Sequence, residues 1–492
     1  MKSSQLEPLR YLSTEEMQKI HINAVRILEE IGMNIEHVKA LEYLRAAGCK
    51  VDMETRRVKF PRAVTEAAVL KMKSNYANPG MKARRMSVRY SQVRFDATPF
   101  KIHEDFSVSA GGFCCFIHDL TGKRRNAELK DVKNALKLVN GLDEITYSGL
   151  PVAAQDIPVA VRPVAMAAEL AKNTKKLGGI ETFNADQVQY ISEIGEIVTG
   201  GKEAHRQNPI LVGYAEVRSP LCFDEVMADV LIAHLERGLP QTIDTMPNAG
   251  ATAPVTAAGA LTLGVAETLG GLVLGFSINK DATMGVELTP GYCDMRSMLF
   301  GYAGAERIPL LSARVQLISE FYGCPSGVHG GKTNSCVPGI QAGVEKGISM
   351  LAPVLAGAIG FGTVGHLENA ITFSPLQLVI DNEIAKYVRR CVRGLEVNDE
   401  TIAYDVIKAA GIGGNTVSSD HTMEHFKEEE LLSPFFDACA WGSSNSLDKE
   451  RFEKLALNKA EDILKSEQEP PLSKEQEKAI DEVVERAKRE LK

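Results

Sequence analysis

The chain has 492 residues, 44% of them hydrophobic, with a formal charge of −8 and a mean hydropathy of −0.10. That length suits two or three domains, or one large barrel with extensions, and the hydrophobic share is enough for a large core. The acidic balance and the lack of a basic run exclude a surface that tracks a phosphate backbone, so no nucleic-acid partner is expected. Nine cysteines form no C-x-x-C pair, which argues against a cysteine-based zinc module and fits free thiols in a reducing cytoplasm.

Residues 1–20 are polar and mixed in charge, so no export signal is expected. Ser13-Thr14-Glu15-Glu16 reads as a cap with an acidic first turn, opening a helix over 13–31. Met17, Ile20, Ala24, Ile27, Leu28 and Ile31 recur at helical spacing along it, and Gly32 stops it. A second helix covers 37–47, and Pro61 opens a third over 62–73. Residues 1–80 therefore read as a helical N-terminal extension without assignable chemistry. Residues 81–127 change character to a small β region: alternation over 86–95 predicts a strand, and 111–118 a second one running into a turn at 119–122. Phe113 and Phe116 are expected to pack in the core here, with reaching the site as the alternative.

From Glu128 an α/β rhythm begins. Candidate strands lie at 145–150, 176–180, 209–214, 241–245, 282–287, 327–330 and 356–361, separated by helical patterns, which is the spacing of βα units. Seven strands leave a barrel one short; the missing strand is expected after Gly394 or ahead of a mis-set first one. The reading is an α/β fold with a (β/α)8 barrel over 128–442 and a charged helical tail over 443–492. The apolar stretch 249–278 contains Thr252, Thr256, Glu267 and repeated glycines, and predicts a buried helix followed by a strand, not a membrane span.

Polar groups gather where these strands end: Gln155 and Asp156, Glu181, Tyr214 and Glu216, Asp244, Glu287, His329, His366 and Glu368. Carboxylates at so many strand ends suit a cationic ligand. Ser326-Gly-Val-His329-Gly-Gly-Lys332-Thr-Asn-Ser-Cys336 and Gly357-Ala-Ile-Gly-Phe361-Gly-Thr-Val-Gly-His366 are two glycine-rich tips one helix apart, where backbone can approach a ligand closely. His421 and His425 are four apart, but no third ligand accompanies them and no metal site is expected.

Several motifs then carry a resemblance together. They are Ser219-Pro-Leu221 with Asp224, Gly250-Ala-Thr-Ala-Pro254-Val-Thr-Ala-Ala-Gly259, Asp294-Met-Arg296, and Gly330-Gly-Lys-Thr-Asn-Ser335 with Gln341-Ala-Gly343 and Glu345. Asp381-Asn-Glu383 and His421-Thr422 complete the set. Over nearly its whole length the chain resembles the trimethylamine methyltransferase superfamily of corrinoid-dependent methyltransferases. The resemblance implies a (β/α)8 barrel and methyl transfer from an amine to the Co(I) centre of a corrinoid (cobalamin) carried by a separate protein that docks over the barrel mouth, with no metal bound by the barrel itself. The trimethylamine enzymes carry pyrrolysine and this sequence shows none. It is similar instead to pyrrolysine-free members that demethylate quaternary amines such as glycine betaine, proline betaine and carnitine.

A quaternary ammonium leaves as a neutral tertiary amine, so no general acid is needed and the protein mainly desolvates and aims one methyl group. Trimethylammonium favours aromatic faces and carboxylates, which nominates Tyr214, Phe361 and Phe373 with Glu287 or Glu368. A betaine carboxylate wants cationic or N–H donors, which nominates Lys332, Asn334 and Arg314, with His329 and His366 as the catalytic pair. Glycine betaine is the expected substrate and dimethylglycine the product, in a cytoplasmic homo-oligomer working with a cognate corrinoid protein. Proline betaine or carnitine as substrate, a lyase with a Schiff base on Lys332, and a non-catalytic betaine-binding barrel remain open.

Overall fold

The computed structural model describes residues 6–77, 100–436, 438–442 and 450–491. The strand expected at 86–95 lies outside them.

Thr14–Glu30 starts on a reciprocal cap, in which the Ser13 hydroxyl accepts from the Glu16 N–H at 3.2 Å and the Glu16 carboxylate accepts from the Ser13 N–H at 2.8 Å. It buries Met17, Ile20, Ala24 and Leu28, the face its spacing predicts. Val38–Ala46 and Arg62–Ala77 follow. All three N-terminal helices pack on the long helix Ala257–Ile278. A Cβ at Gly270 would come within 2.2 Å of the Met33 sulfur, and one at Gly271 within 2.6 Å of Ile243. The helix is thus clamped between the N-terminal region and a strand at a distance only glycine permits. By length and apolarity it could cross a membrane, but 78% of its most apolar window is buried within the molecule, as expected of a core helix.

The parallel strands form two arcs. In one, Ala215–Val217, Gln241–Thr245 and Met284–Val286 lie side by side, with Ile243 opposite both Ala215 and Val286. In the other, Ser107–Ala110 lies between Gly360–Phe361 and Tyr147–Ser148. Single parallel bridges extend this arc at both edges, Val328 to Phe361 and Leu177 to Ser148. Eight extended segments result, and each is followed by a helix: Leu129–Asn140, Arg162–Asn173, Ala185–Thr199, Glu225–Glu236, Ala257–Ile278, Arg307–Gln316, Ile340–Leu355 and Pro375–Val392.

Two expectations change. The missing strand is Ser107–Ala110, so the parallel array begins ahead of Glu128. All four of its residues are buried, Ser107 and Ser109 included, and the alternation Phe106-Ser-Val-Ser-Ala110 is a short strand signal in the sequence. The ring expected of a closed barrel is not completed by strand pairing among the described residues. At one seam the backbones abut: Cβ atoms at Gly179 and Gly213 would lie 2.6 Å and 2.4 Å from the carbonyl oxygens of Val212 and Ile180. At the other, the Arg314 guanidinium fills the gap, reaching both Glu287 and the Gly327 carbonyl.

A small side sheet joins Phe116–His118 to Arg124–Asn126 through the expected turn, and adds Thr372–Phe373 and His366–Leu367. The tail helices Arg451–Lys465 and Lys474–Glu490 bury Ala456, Ala460, Ile480, Val483 and Ala487 against the outer helices. The N-terminal helices share one core with the first arc, and the tail shares the other core with the second. The helix expected at 399–410 is broken at Ala403, where φ is +52°, into Asp399–Ile402 and Tyr404–Ala410.

Candidate active site

The two arcs enclose a cavity of about 110 Å³ lined by Phe113, Tyr147, Glu181, Tyr214, Glu287, His329, Phe361 and a run of glycines that includes Gly149, Gly179, Gly213 and Gly362. One water needs roughly 10–15 Å³ on this measure, so the space suits a ligand of several heavy atoms. The glycines expose backbone to it and keep it open, while the aromatic rings supply apolar faces.

Carboxylates gather around Tyr214. The Tyr214 hydroxyl donates to Glu181 at 2.7 Å. Burial, and then Glu181, Glu216 and Asp244, hold the Tyr214 phenol well above its ordinary pKa, so it stays a donor. Glu216 stands in the strand Ala215–Val217, which begins just after Tyr214. Burial, followed by the charges of Asp244 and Glu181, pushes its carboxyl up to about 8, against a smaller opposing pull from Lys332. Carboxylic acids crowded in this way favour an incoming cation.

Lys332 brings the opposite charge into the same field. It is buried, and its ammonium lies 4.2 Å from the centre of the Tyr302 ring. Burial and then Arg307 bring its pKa down to about 8, while Asp244 and Glu216 resist. Arg307 is itself fully buried, donates to the Pro290 carbonyl at 3.0 Å and to the Tyr302 carbonyl, and is lowered to about 10 by burial. Two cations thus flank Tyr302, and both ends of a zwitterion could be answered within one region.

The residues nominated from sequence separate into three groups. Tyr214, Glu287, His329 and Phe361 line the cavity. Lys332 joins the field of Glu216 and Asp244. His366 is fully buried, and burial, then Lys346 and Lys332, press it well below its ordinary pKa, so the ring is neutral. The others are used by the fold. Arg314 is fully buried in its ion pair with Glu287 and also donates to Ser326 at 3.2 Å. The Asn334 amide donates to the Ala303 carbonyl at 2.9 Å. Glu368 pairs with Arg124 at 2.9 Å and accepts from Thr372 at 2.6 Å. Phe373 sits in the core with no exposed surface. Asp156 accepts from the Leu129 N–H at 2.9 Å, at the start of the helix Leu129–Asn140 that precedes it in sequence.

Phe113, expected in the core, lines the cavity with φ at +56°, while Phe116 lies under the Arg124 guanidinium, 3.7 Å from its ring centre. Tyr147, Tyr302 and Arg307 were not nominated. Tyr147 carried one available signal, a polar ring inside an apolar strand pattern; Tyr302 and Arg307 carried none, because they reach the site from a loop and a helix start.

A family model described as trimethylamine methyltransferase (MTTB) matches residues 2–492. The chain belongs to this trimethylamine methyltransferase family. It is 33% identical over 433 residues to a glycine betaine methyltransferase of Desulfitobacterium hafniense strain Y51, covering 87% of each chain. It is 30% identical over 418 residues to the trimethylamine methyltransferase MttB of D. hafniense strain DSM 10664 / DCB-2, covering 85% of this chain and 82% of that one. The trimethylamine methyltransferase MttB2 of Methanosarcina mazei is 29% identical over 497 residues, covering 98% and 96%. As a member of the family the protein is a methyltransferase. Among its described residues no group of three or more His, Cys, Asp or Glu side chains is arranged to hold a metal ion.

Proposed function

We propose that this methyltransferase takes a methyl group from a quaternary amine, glycine betaine first, and passes it to the Co(I) centre of a corrinoid carried by a separate protein, leaving dimethylglycine. The observation that carries the reading is a buried cluster of opposite charges beside a cavity with aromatic faces: Glu181 and Tyr214 line the cavity, Glu216 and Asp244 act on Tyr214, and Lys332 with Arg307 joins the same field. The relative named as a glycine betaine methyltransferase supports the same substrate class.

On this reading the cavity takes the amine, and the acceptor approaches it from outside on its own protein. When bound there, the corrinoid supplies the nucleophile. The chain's own work is positioning. Tetraalkylated nitrogen has no proton to donate, so Phe113, Tyr147, Tyr214 and Phe361 hold it through their faces and the carboxylates through charge. Lys332 and Arg307 draw the carboxylate end the other way. Fixing both ends restricts the methyl to one direction, as a collinear displacement requires. His329 lines this space and the neutral His366 ring borders it at Gly112; neither need supply a proton, because the leaving amine departs neutral.

On the same reading the eight βα units make a (β/α)8 barrel beginning at Ser107, flanked by the helical N-terminal extension and the helical tail, and the enzyme works in the cytoplasm as a homo-oligomer. The test is an absorbance assay of the purified protein with reduced corrinoid on its carrier protein and glycine betaine. Loss of the Co(I) band with growth of methyl-Co(III) is the expected result. Turnover with proline betaine or carnitine but not glycine betaine would keep the class and replace the substrate. No turnover with any of them would overturn the reading.

A further inference from the structure

Beneath the two glycine-rich tips lies a buried ion pair that the reading above does not use. Lys346, on helix Ile340–Leu355, and Asp381, on helix Pro375–Val392, are both fully buried and 2.6 Å apart. Each also holds backbone. The Lys346 ammonium donates to the Gly331 carbonyl at 2.6 Å. Asp381 accepts from the Gly365 N–H at 2.6 Å on the oxygen that meets Lys346, and from Gln377 at 2.8 Å on the other. Gly331 immediately precedes Lys332, and Gly365 immediately precedes His366.

The two tips also touch directly. The Gly331 N–H donates to the Gly362 carbonyl at 2.9 Å, and a Cβ at Gly331 would lie 2.6 Å from the Thr363 backbone. No side chain fits between them, so their separation is set from below. A buried pair of this kind gives little net stability over an apolar pair of the same volume. What it adds here is a chain of directed bonds, from Gly331 through Lys346 and Asp381 to Gly365.

We propose that the Lys346–Asp381 pair is a positioning strut that fixes the Gly331–Lys332 tip against the Gly365–His366 tip, and so places the Lys332 ammonium for the carboxylate end of the substrate. The inference rests on the proposed betaine reading for what Lys332 binds. Lys346 and Asp381 touch no substrate; they act through Lys332.

The experiment compares calorimetric binding of glycine betaine with that of tetramethylammonium, which has the cation and lacks the carboxylate. Wild type, Lys332→Met, the double variant Lys346→Met/Asp381→Leu and the volume-conserving Asp381→Asn are measured, with a crystal structure of whichever strut variant folds. The strut predicts that its variants lose the preference for glycine betaine at least tenfold, as Lys332→Met does, with tetramethylammonium binding held within about twofold. It also predicts that Gly331 and Gly365 move apart in the crystal. Equal losses for both ligands, or an unmoved tip, would overturn the strut. A Lys332→Met protein that keeps its preference for glycine betaine, with the tips displaced in the strut variant, would overturn the betaine reading of Lys332 and leave the strut as a positioning device for His366 alone.

Discussion

Asp381 and Glu216 are both carboxyl groups held inside the molecule, and their surroundings differ in kind. Asp381 meets donors on every side: Lys346, the Gly365 N–H and Gln377. Glu216 meets the like charges of Asp244 and Glu181 ahead of the opposing pull of Lys332. Glu267 follows the first pattern, accepting from Ser219 at 2.7 Å, from the Leu221 N–H at 2.8 Å and from Thr245. Such fully answered carboxylates tie backbone segments together. A carboxyl whose neighbours oppose its ionisation does nothing for the fold and is poised for a charge that arrives from outside.

The comparison breaks most visibly at Lys346. In Lys346→Met the Asp381 charge stays buried without its cation, and a loss of about 3–5 kcal/mol is expected in urea unfolding. The double variant with Asp381→Leu should recover most of it, because neither charge is then left alone.

Glu216→Gln should do the reverse, sparing stability and costing affinity by roughly tenfold, about 1.4 kcal/mol. The sign of its pH dependence follows from a folded pKa near 8, above the ordinary carboxylate value. Between that ordinary value and about 8 the folded chain holds a proton the unfolded chain has lost, so this group makes stability fall as pH rises across that window. The variant should flatten that slope. A bound quaternary ammonium favours ionised Glu216, so wild type should release a proton on binding at pH 7. Calorimetry in buffers of different protonation enthalpy should detect that release, and it should vanish in Glu216→Gln.

Smaller effects sharpen the contrast. Tyr214→Phe removes the hydrogen bond to Glu181 and should weaken glycine betaine binding several-fold, in line with about 0.5–1.5 kcal/mol for a typical intramolecular hydrogen bond. Phe113→Leu should cost two- to fivefold in the same titration, the scale of one cation–π contact of about 0.5–1 kcal/mol. Glu368→Gln is the control. Its ion pair with Arg124 has side chains 30% and 41% exposed, so stability should change by less than about 1 kcal/mol and binding not at all.

Local rules wrote much of the fold into the sequence. The three N-terminal helices, the buried helix Ala257–Ile278, the strand Gln241–Thr245 and the helix Pro375–Val392 follow from periodicity, caps and glycine stops, which act over a few residues and leave a pattern wherever one face differs from the other. The family followed from motif order along nearly the whole chain. Tertiary structure alone decided the rest. Ser107–Ala110 carries a short alternation, but its place between Gly360–Phe361 and Tyr147–Ser148 depends on partners far away in sequence. Phe113 entered the cavity and Phe373 the core, although both are phenylalanines near strand ends, because strand-end position says nothing about which way a ring is turned. Arg314, with the charge to bind a carboxylate, was taken by Glu287, while Lys332, with the same charge, was left facing Glu216, Asp244 and Arg307. Partner choice among buried charges depends on which groups the fold brings within a few ångströms, and residues far apart in sequence supply most of them.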